Sequence, residues 1–168
     1  MYIDPNLNWN YNTKILASKL SRSIGMLSKI RHYVNNETLR SIYFAIFSSH
    51  LSYGSIIWAQ NPNNQNVKRI SRLQNRALRV ICFADYRVHA NPLYKHQNIL
   101  KFNDNVKMNN MLLVYDSLNN SLPAILNNIY THSKDIHEHN TRCSSNQKLS
   151  LPKVETTTHG LIVLNTNV

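Results

Sequence analysis

The sequence predicts a mainly α fold, in which a small helical bundle is followed by short helices and an irregular tail. Three long segments repeat apolar residues at intervals of three and four, the spacing that gathers them on one side of a helix. Only 3 of the 168 residues are glycine, too few for a turn-rich all-β fold or a glycine-rich phosphate loop. We expect a short leading segment (1–10), a helical domain (11–130) and an irregular tail (131–168).

The first helix is predicted over about residues 11–33, because an apolar stripe there is flanked by basic residues. Asn35, Asn36 and Glu37 are residues that end one helix and cap the next. The stripe consists of Leu16, Leu20, Ile24, Leu27 and Ile30.

The second helix, about residues 37–60, is the most apolar, and only Glu37 and Arg40 in it are charged. We therefore predict that it forms the centre of the core. Its inner face is expected to consist of Leu39, Ile42, Tyr43, Ile46, Phe47, Tyr53, Ile57 and Trp58.

The third helix is predicted over about residues 66–83, followed by a connection (85–92), a short helix (93–100) and a longer helix (104–118). Asp104 is the predicted N-cap of the last of these, and Cys82 is predicted to be a small core residue. Pro123 should begin a turn that reaches residue 129, and short strands are expected at 154 and 161–164. The predicted inward residues are Val67, Ile70, Leu73, Ala77, Val80 and Ile81 in the third helix, and Val106, Met111, Leu112, Tyr115 and Leu118 in the last.

The charge balance favours a polyanionic partner. Lys and Arg number 19 against 8 acidic residues, which gives a net charge of +11 and a pI near 9.9. Such a field attracts nucleic acid or an acidic membrane surface. No apolar run approaches the roughly 20 residues of a membrane span, and two distant cysteines make no disulfide framework. We expect nucleic acid as the partner, no membrane, and a reducing intracellular compartment, either cytoplasm or nucleus.

A row of basic residues on the third predicted helix is the sharpest local feature. Four arginines lie within roughly a quarter turn of an ideal helix, and no acidic residue interrupts them. Arginine presents a planar fork that matches phosphate oxygens, and Gln74 and Asn75 would add further donors. The alternative is an ordinary solvated helix face. The row, the candidate nucleic-acid-binding residues, consists of Lys68, Arg69, Arg72, Arg76 and Arg79.

No catalytic residue is predicted. The segment from Phe83 to Tyr86 looks like an aromatic-Ala-Asp-Asp box, but Tyr86 stands in place of the second Asp and the segment follows a helix. Two-metal phosphoryl transfer needs clustered carboxylates, whereas the acids of this chain are scattered. Tyr86, which lies beside Arg87 and His89, is a candidate for base stacking. The alternative is a core aromatic residue whose hydroxyl reaches solvent.

No metal site is predicted either. His132, His137, His139 and Cys143 lie in the tail, but their spacing lacks the paired anchors of a zinc site. No sequence feature indicates that Cys143 is an activated nucleophile. We therefore expect no cofactor in this chain.

Several short segments carry a family resemblance by their order and spacing. They are residues 20–27 (LSRSIGML), 39–45 (LRSIYFA), 49–54 (SHLSYG) with Trp58, 73–81 (LQNRALRVI), 91–93 (NPL), 98–100 (NIL), 121–123 (SLP), 139–142 (HNTR) and 151–152 (LP). Together they resemble the region that follows the palm of non-LTR (LINE-type) retrotransposon reverse transcriptases. Ile3-Asp4 with Leu7-Asn8-Trp9 is similar to the palm exit, so residues 1–10 would be its remnant.

The resemblance implies a helical thumb that grips a template–primer duplex through phosphate and sugar, with little sequence reading. The parent polymerase would use Mg²⁺ and deoxynucleotides, and the family's catalytic Asp residues have no counterpart here. After Lys153 the family's closing segment is also missing. We therefore expect a fragment that lacks its palm and fingers and is inactive alone.

The function expected from the sequence is template–primer binding, to RNA–DNA or DNA duplex, as the accessory part of an RNA-directed DNA polymerase. Two alternatives remain open. One is a helical protein–protein interaction module, which a buried arginine row would favour. The other is a truncated, non-functional relic of a transposable element, which a lack of cooperative unfolding would favour.

Overall fold

The computed structural model describes residues 2, 9–60, 64–124, 126, 130–132 and 149–150. Helices dominate this part of the chain, which confirms the predicted mainly α fold. Two short strands, β1 (Thr131–His132) and β2 (Leu149–Ser150), pair antiparallel with Thr131 opposite Ser150. The chain divides into two compact units, Met1–Lys107 and Met108–Val168.

Helix α1 (Asn10–Ile30) buries the predicted stripe. Leu16, Leu20, Ile24 and Leu27 are buried, and Ile30 at the end of the helix is half-buried. These positions recur every three or four residues, so one side of α1 lies in the core while its lysines remain in solvent. The prediction for this helix is confirmed to within three residues at its end.

Helices α1 and α5 (Gln65–Ile81) lie side by side and run in the same direction. Near their starts, Asn66 Nδ2 donates to Asn10 Oδ1 at 2.8 Å. Near their ends, the His32 ring contacts the Phe83 ring, with 5.6 Å between centroids. This parallel pair is the main packing contact of the first unit, and it fixes which side of α5 faces solvent.

The second predicted helix begins as expected but is not continuous. Asn35 caps α2 (Asn36–Tyr43), because its Oδ1 accepts from the Thr38 amide at 2.8 Å. A π-helical segment (Phe44–Ser48), α3 (Ser49–Ser52) and α4 (Ser55–Trp58) follow. The break before α4 falls at Gly54, whose φ of 60° is left-handed and therefore suits glycine.

The break explains two errors in the predicted inner face. Leu39, Tyr43, Phe47 and Trp58 are buried, but Tyr53 and Ile57 are exposed, because the π segment and the turn at Gly54 change the register that a continuous helix would keep. The Ser23 hydroxyl of α1 donates to the Ile46 carbonyl at 3.1 Å, which satisfies a carbonyl of the irregular segment.

The Asn35 cap should contribute measurably to the stability of the first unit. Asn35→Ala removes the acceptor of the Thr38 amide and is expected to lower the free energy of unfolding by about 1 kcal/mol. Urea unfolding would measure the change. Asn36→Ala is the matched control, because the Asn36 side chain is also exposed but makes no such bond. Equal losses of stability in the two variants would contradict the assignment of Asn35 as the cap.

Helix α5 confirms most of its predicted inward residues. Val67, Ile70, Ala77 and Ile81 are buried, whereas Leu73 and Val80 are half-buried. Leu78, which the sequence pattern did not select, is also fully buried. Cys82 is half-buried, so the prediction of a core thiol holds only in part, and burial raises its pKa.

The next helix, α6 (Ala90–Gln97), starts three residues earlier than predicted. Helix α7 (Phe102–Leu118) contains Asp104 in its first turn, so the prediction that Asp104 caps this helix is wrong. Phe102 and Val106 are buried, and the Phe102 ring stacks on Trp58 with 5.5 Å between centroids.

The predicted buried face of α7 is wrong beyond Val106. The second unit contains the exposed residues Met111, Leu112, Tyr115 and Leu118. Apolar residues occupy every side of this part of α7, so their periodicity did not identify one buried side. Ser117 is the residue of this part that is buried instead.

The turn at Pro123 is confirmed at its start, where the Leu126 amide donates to the Pro123 carbonyl at 2.7 Å. The rest of that turn (125 and 127–129) and the strands expected at 154 and 161–164 lie outside the described residues, as do residues 1 and 3–8 of the segment (1–10) predicted to be a palm-exit remnant.

Candidate nucleic-acid interface

The net positive charge of the chain lies in its first unit. Residues 1–107 carry 15 of the 19 Lys and Arg but only 4 of the 8 acidic residues, so the whole net charge of +11 lies there. Residues 108–168 carry equal numbers of both signs. A polyanion is therefore attracted to the unit built around α1 and α5.

The basic row lies on α5, and most of it is open to solvent. Lys68, Arg69, Arg72 and Arg76 are exposed. Among the described residues, none of these four side chains forms an ion pair, a hydrogen bond or a contact with an aromatic ring. Four like charges are thus held on one helix face without local compensation, an arrangement that a bound anion relieves.

Arg79, the last member of the row, is placed differently. It is half-buried, and its Nε donates to the Val88 carbonyl at 2.9 Å. This bond ties the loop after α5 back to the helix. Arg79 therefore stabilises this loop in addition to contributing a positive charge to the row.

The dimensions of the row suit a nucleic-acid backbone. Arg69 and Arg79 are separated by ten residues, or about 15 Å of helix axis. The five side chains lie within roughly 100° of one another around α5. A duplex presents one phosphate charge per about 1.7 Å of its axis, so a row of this length meets several phosphates at once.

The row is held in place by a cluster on the opposite side of α5, about 170° away. Gln74 is the centre of this cluster and is only 2% exposed. Its Nε2 donates to the Leu100 carbonyl at 3.0 Å and to the Tyr43 hydroxyl at 3.2 Å. Its Oε1 accepts from the Phe102 amide at 2.7 Å and the Tyr94 hydroxyl at 2.9 Å.

We refer to Gln74, Tyr43, Tyr94 and the backbone of Leu100 and Phe102 as the Gln74 cluster. It joins α2, α5, α6 and the start of α7 through hydrogen bonds. Burial raises the pKa of Tyr43 to about 12, although the Gln74 amide acts in the opposite direction. Burial also raises the pKa of Tyr94. Both hydroxyls therefore stay protonated at neutral pH.

The cluster corrects one sequence-based expectation. Gln74 was expected to offer its amide to phosphate, but its buried amide is fully engaged within the protein. Asn75 is half-buried, with its Oδ1 2.8 Å from the Tyr94 hydroxyl. The periodicity of the basic residues identified the exposed side of α5, whereas Gln74 and Asn75 between them bond to groups within the protein.

Arg40, also in the first unit, already has partners within the protein. Arg40 Nε donates to the Gln97 carbonyl at 2.9 Å, and its guanidinium lies 5.0 Å from the Phe44 ring centroid. This contact places a cation at the carbonyl end of α6, where it is favourable. The contrast with Arg69, Arg72 and Arg76 separates arginines that stabilise the fold from arginines that remain available.

Asp85, the single Asp of the segment that looks like an aromatic-Ala-Asp-Asp box, lies in the exposed loop after α5. Its Oδ1 accepts from the Arg87 amide at 2.9 Å, a common turn geometry. The described residues contain no group of three His, Cys, Asp or Glu able to hold a metal ion. His137, His139 and Cys143 lie outside the described residues, as does the side chain of His132.

Among the described helices, none is both long and apolar enough to cross a membrane. Comparison with protein-family models, curated protein sequences and solved structures finds no significant match to this chain.

Proposed function

We propose that this protein binds the sugar–phosphate backbone of a nucleic-acid duplex through the basic row of α5. The observation that carries the proposal is the group of exposed cations, Lys68, Arg69, Arg72 and Arg76, which have no partner among the described residues. An arginine guanidinium group can donate two parallel hydrogen bonds to two oxygens of one phosphate. Contacts of this kind fix the position of a protein on a duplex and carry no sequence information.

The bound duplex is proposed to be the template–primer of an RNA-directed DNA polymerase of a non-LTR retrotransposon. The helical architecture of the first unit and the resemblance of segments such as 20–27 and 73–81 support this role. In this proposal the chain acts as a thumb, and the Mg²⁺-dependent chemistry belongs to the palm of the parent polymerase. No catalytic role is assigned to a residue of this chain.

The proposal predicts how binding to an RNA–DNA hybrid depends on salt. Each phosphate that a cation neutralises contributes about 0.7–0.9 to the slope of log K against log salt. The triple variant R69A/R72A/R76A is therefore expected to reduce the slope by roughly 2–3 and to weaken binding at low salt. Fluorescence anisotropy with a labelled hybrid over a range of salt concentrations would measure both quantities.

The matched control is K14A/R22A/K29A, which removes the same charge from exposed positions of α1. If only net charge mattered, the slope of log K against log salt would decrease equally in the two triple variants. If the duplex binds the basic row, the slope should decrease more in the α5 variant. A wild-type chain that binds no hybrid at low salt would refute the proposal. Equal slopes in the wild type and the α5 variant would also refute it.

A further inference from the structure

The end of α5 carries an exposed aromatic residue in an unfavourable backbone conformation. Phe83 has a φ of 53° and is 55% exposed. It occupies the position after the C-cap of α5, where the Phe83 amide donates to the Val80 carbonyl and the Ala84 amide to the Arg79 carbonyl. This pattern of bonds normally has glycine at that position, because a β-carbon is strained there. A large apolar ring at this position therefore carries a conformational cost that glycine would not have.

The Phe83 ring is held by cationic and aromatic neighbours. The Arg31 guanidinium lies 5.0 Å from the ring centroid, and the His32 ring packs edge-on at 5.6 Å. Arg31 Nε also donates to His32 Nε2 at 3.1 Å, which orients the guanidinium. The ring is therefore held by its neighbours, while more than half of the residue's surface remains exposed.

A second ring of the same kind follows three residues later. Tyr86 is 72% exposed, and the Arg87 guanidinium lies 5.3 Å from its ring centroid. Arg87 Nε donates to the Tyr86 hydroxyl at 2.8 Å. The Arg79 Nε donates to the Val88 carbonyl and so holds the loop that contains Tyr86 against the end of the basic row.

We propose that Phe83 and Tyr86, with Arg31 and Arg87, form a platform on which an unpaired nucleobase stacks at the end of the bound duplex. Aromatic rings and guanidinium planes are the groups that hold unpaired bases, because every base has a π-face. The platform continues the row of phosphate-binding cations, so a strand leaving the duplex passes from one to the other. Asp85 is the one acidic residue of this loop, and its contact with the Arg87 amide keeps it within the turn.

This inference rests on the proposed duplex binding but can be tested separately. Three labelled probes are compared: a blunt RNA–DNA hybrid, the same hybrid with a single-stranded overhang, and the single strand alone. The proteins are wild type, F83G, Y86L and the control Y53L, which alters an equally exposed tyrosine on another element. Phe83→Gly is the informative variant, because glycine suits this backbone and should leave the melting temperature unchanged or higher.

The platform predicts that wild type binds the overhang hybrid more tightly than the blunt one. Stacking is worth about a 5- to 150-fold change in affinity per base. F83G and Y86L should lose most of this preference while binding the blunt hybrid as wild type does, and Y53L should retain it. Binding of the single strand should weaken in F83G and Y86L as well.

The possible outcomes separate the two proposals. A wild type without preference for the overhang, or F83G and Y86L that retain the preference, would overturn the platform and leave duplex binding intact. Equal losses on blunt and overhang hybrids would also overturn it. A wild type that binds the single strand through Phe83 and Tyr86, but no duplex, would refute the proposed function and keep the platform.

Discussion

Gln74→Leu is expected to lower the free energy of unfolding by at least about 3 kcal/mol. The substitution preserves much of the side-chain volume but removes the hydrogen-bond partner of the Tyr43 hydroxyl, the Leu100 carbonyl and the Phe102 amide. Each buried polar group left unsatisfied costs about 1–3 kcal/mol. The Tyr94 hydroxyl keeps its contact with Asn75 Oδ1 and adds less to the loss. Urea unfolding followed by circular dichroism would give the difference.

Gln65→Leu provides the control for this prediction. Gln65 lies on the same helix but is exposed, so its replacement should change stability by no more than about 0.5 kcal/mol. If Gln74→Leu were as stable as Gln65→Leu, the four hydrogen bonds of Gln74 would not be the connection between α2, α5, α6 and the start of α7.

Alkaline pH is expected to destabilise the first unit through the same cluster. The pKa of Tyr43 is about 12 in the folded protein, against an ordinary value of 10.0. The folded state therefore retains a proton that the unfolded chain releases above pH ~10. Stability is fully present below pH ~10 and falls as the pH rises from about 10 to 12, by about 3 kcal/mol for Tyr43. The raised pKa of Tyr94 acts in the same direction.

Tyr43→Phe separates this effect from general alkaline denaturation. The variant should be about 1 kcal/mol less stable than wild type near neutral pH, because it lacks the bond to Gln74. It should then lose less stability than wild type between pH ~10 and ~12, because one titrating group is gone. Urea midpoints measured across this range would give both values. If both proteins lost the same stability between pH ~10 and ~12, the raised pKa of the buried Tyr43 hydroxyl would be contradicted.

The sequence was most informative where a single periodicity ran through a continuous helix. In α1 and α5, residues such as Leu20, Leu27 and Ile70 repeat with the helical period and are buried. The same reasoning identified the basic row, because residues that avoid the core must share the remaining side of α5. The cap at Asn35 was predictable as well, since its bond to the Thr38 amide is local.

The remaining features depend on contacts between residues far apart in the chain. Gln74 looked like a surface residue, because its partners at Tyr43 and Tyr94 meet it only after α2 and α6 have packed on α5. The π segment after Tyr43 and the turn at Gly54 interrupt a pattern that reads as one helix. The sequence could have indicated that Phe83 is unusual, because it follows the end of a predicted helix, where glycine is common.

The central claim is that the guanidinium groups of Arg69, Arg72 and Arg76 contact the backbone of a bound duplex. Nuclear magnetic resonance of the arginine Nε–H groups during titration with an RNA–DNA hybrid would test this claim directly. We expect the signals of these three residues to shift and broaden, while that of Arg40, whose Nε is bonded to the Gln97 carbonyl, stays in place. Unchanged signals from Arg69, Arg72 and Arg76 at saturating hybrid would contradict the claim.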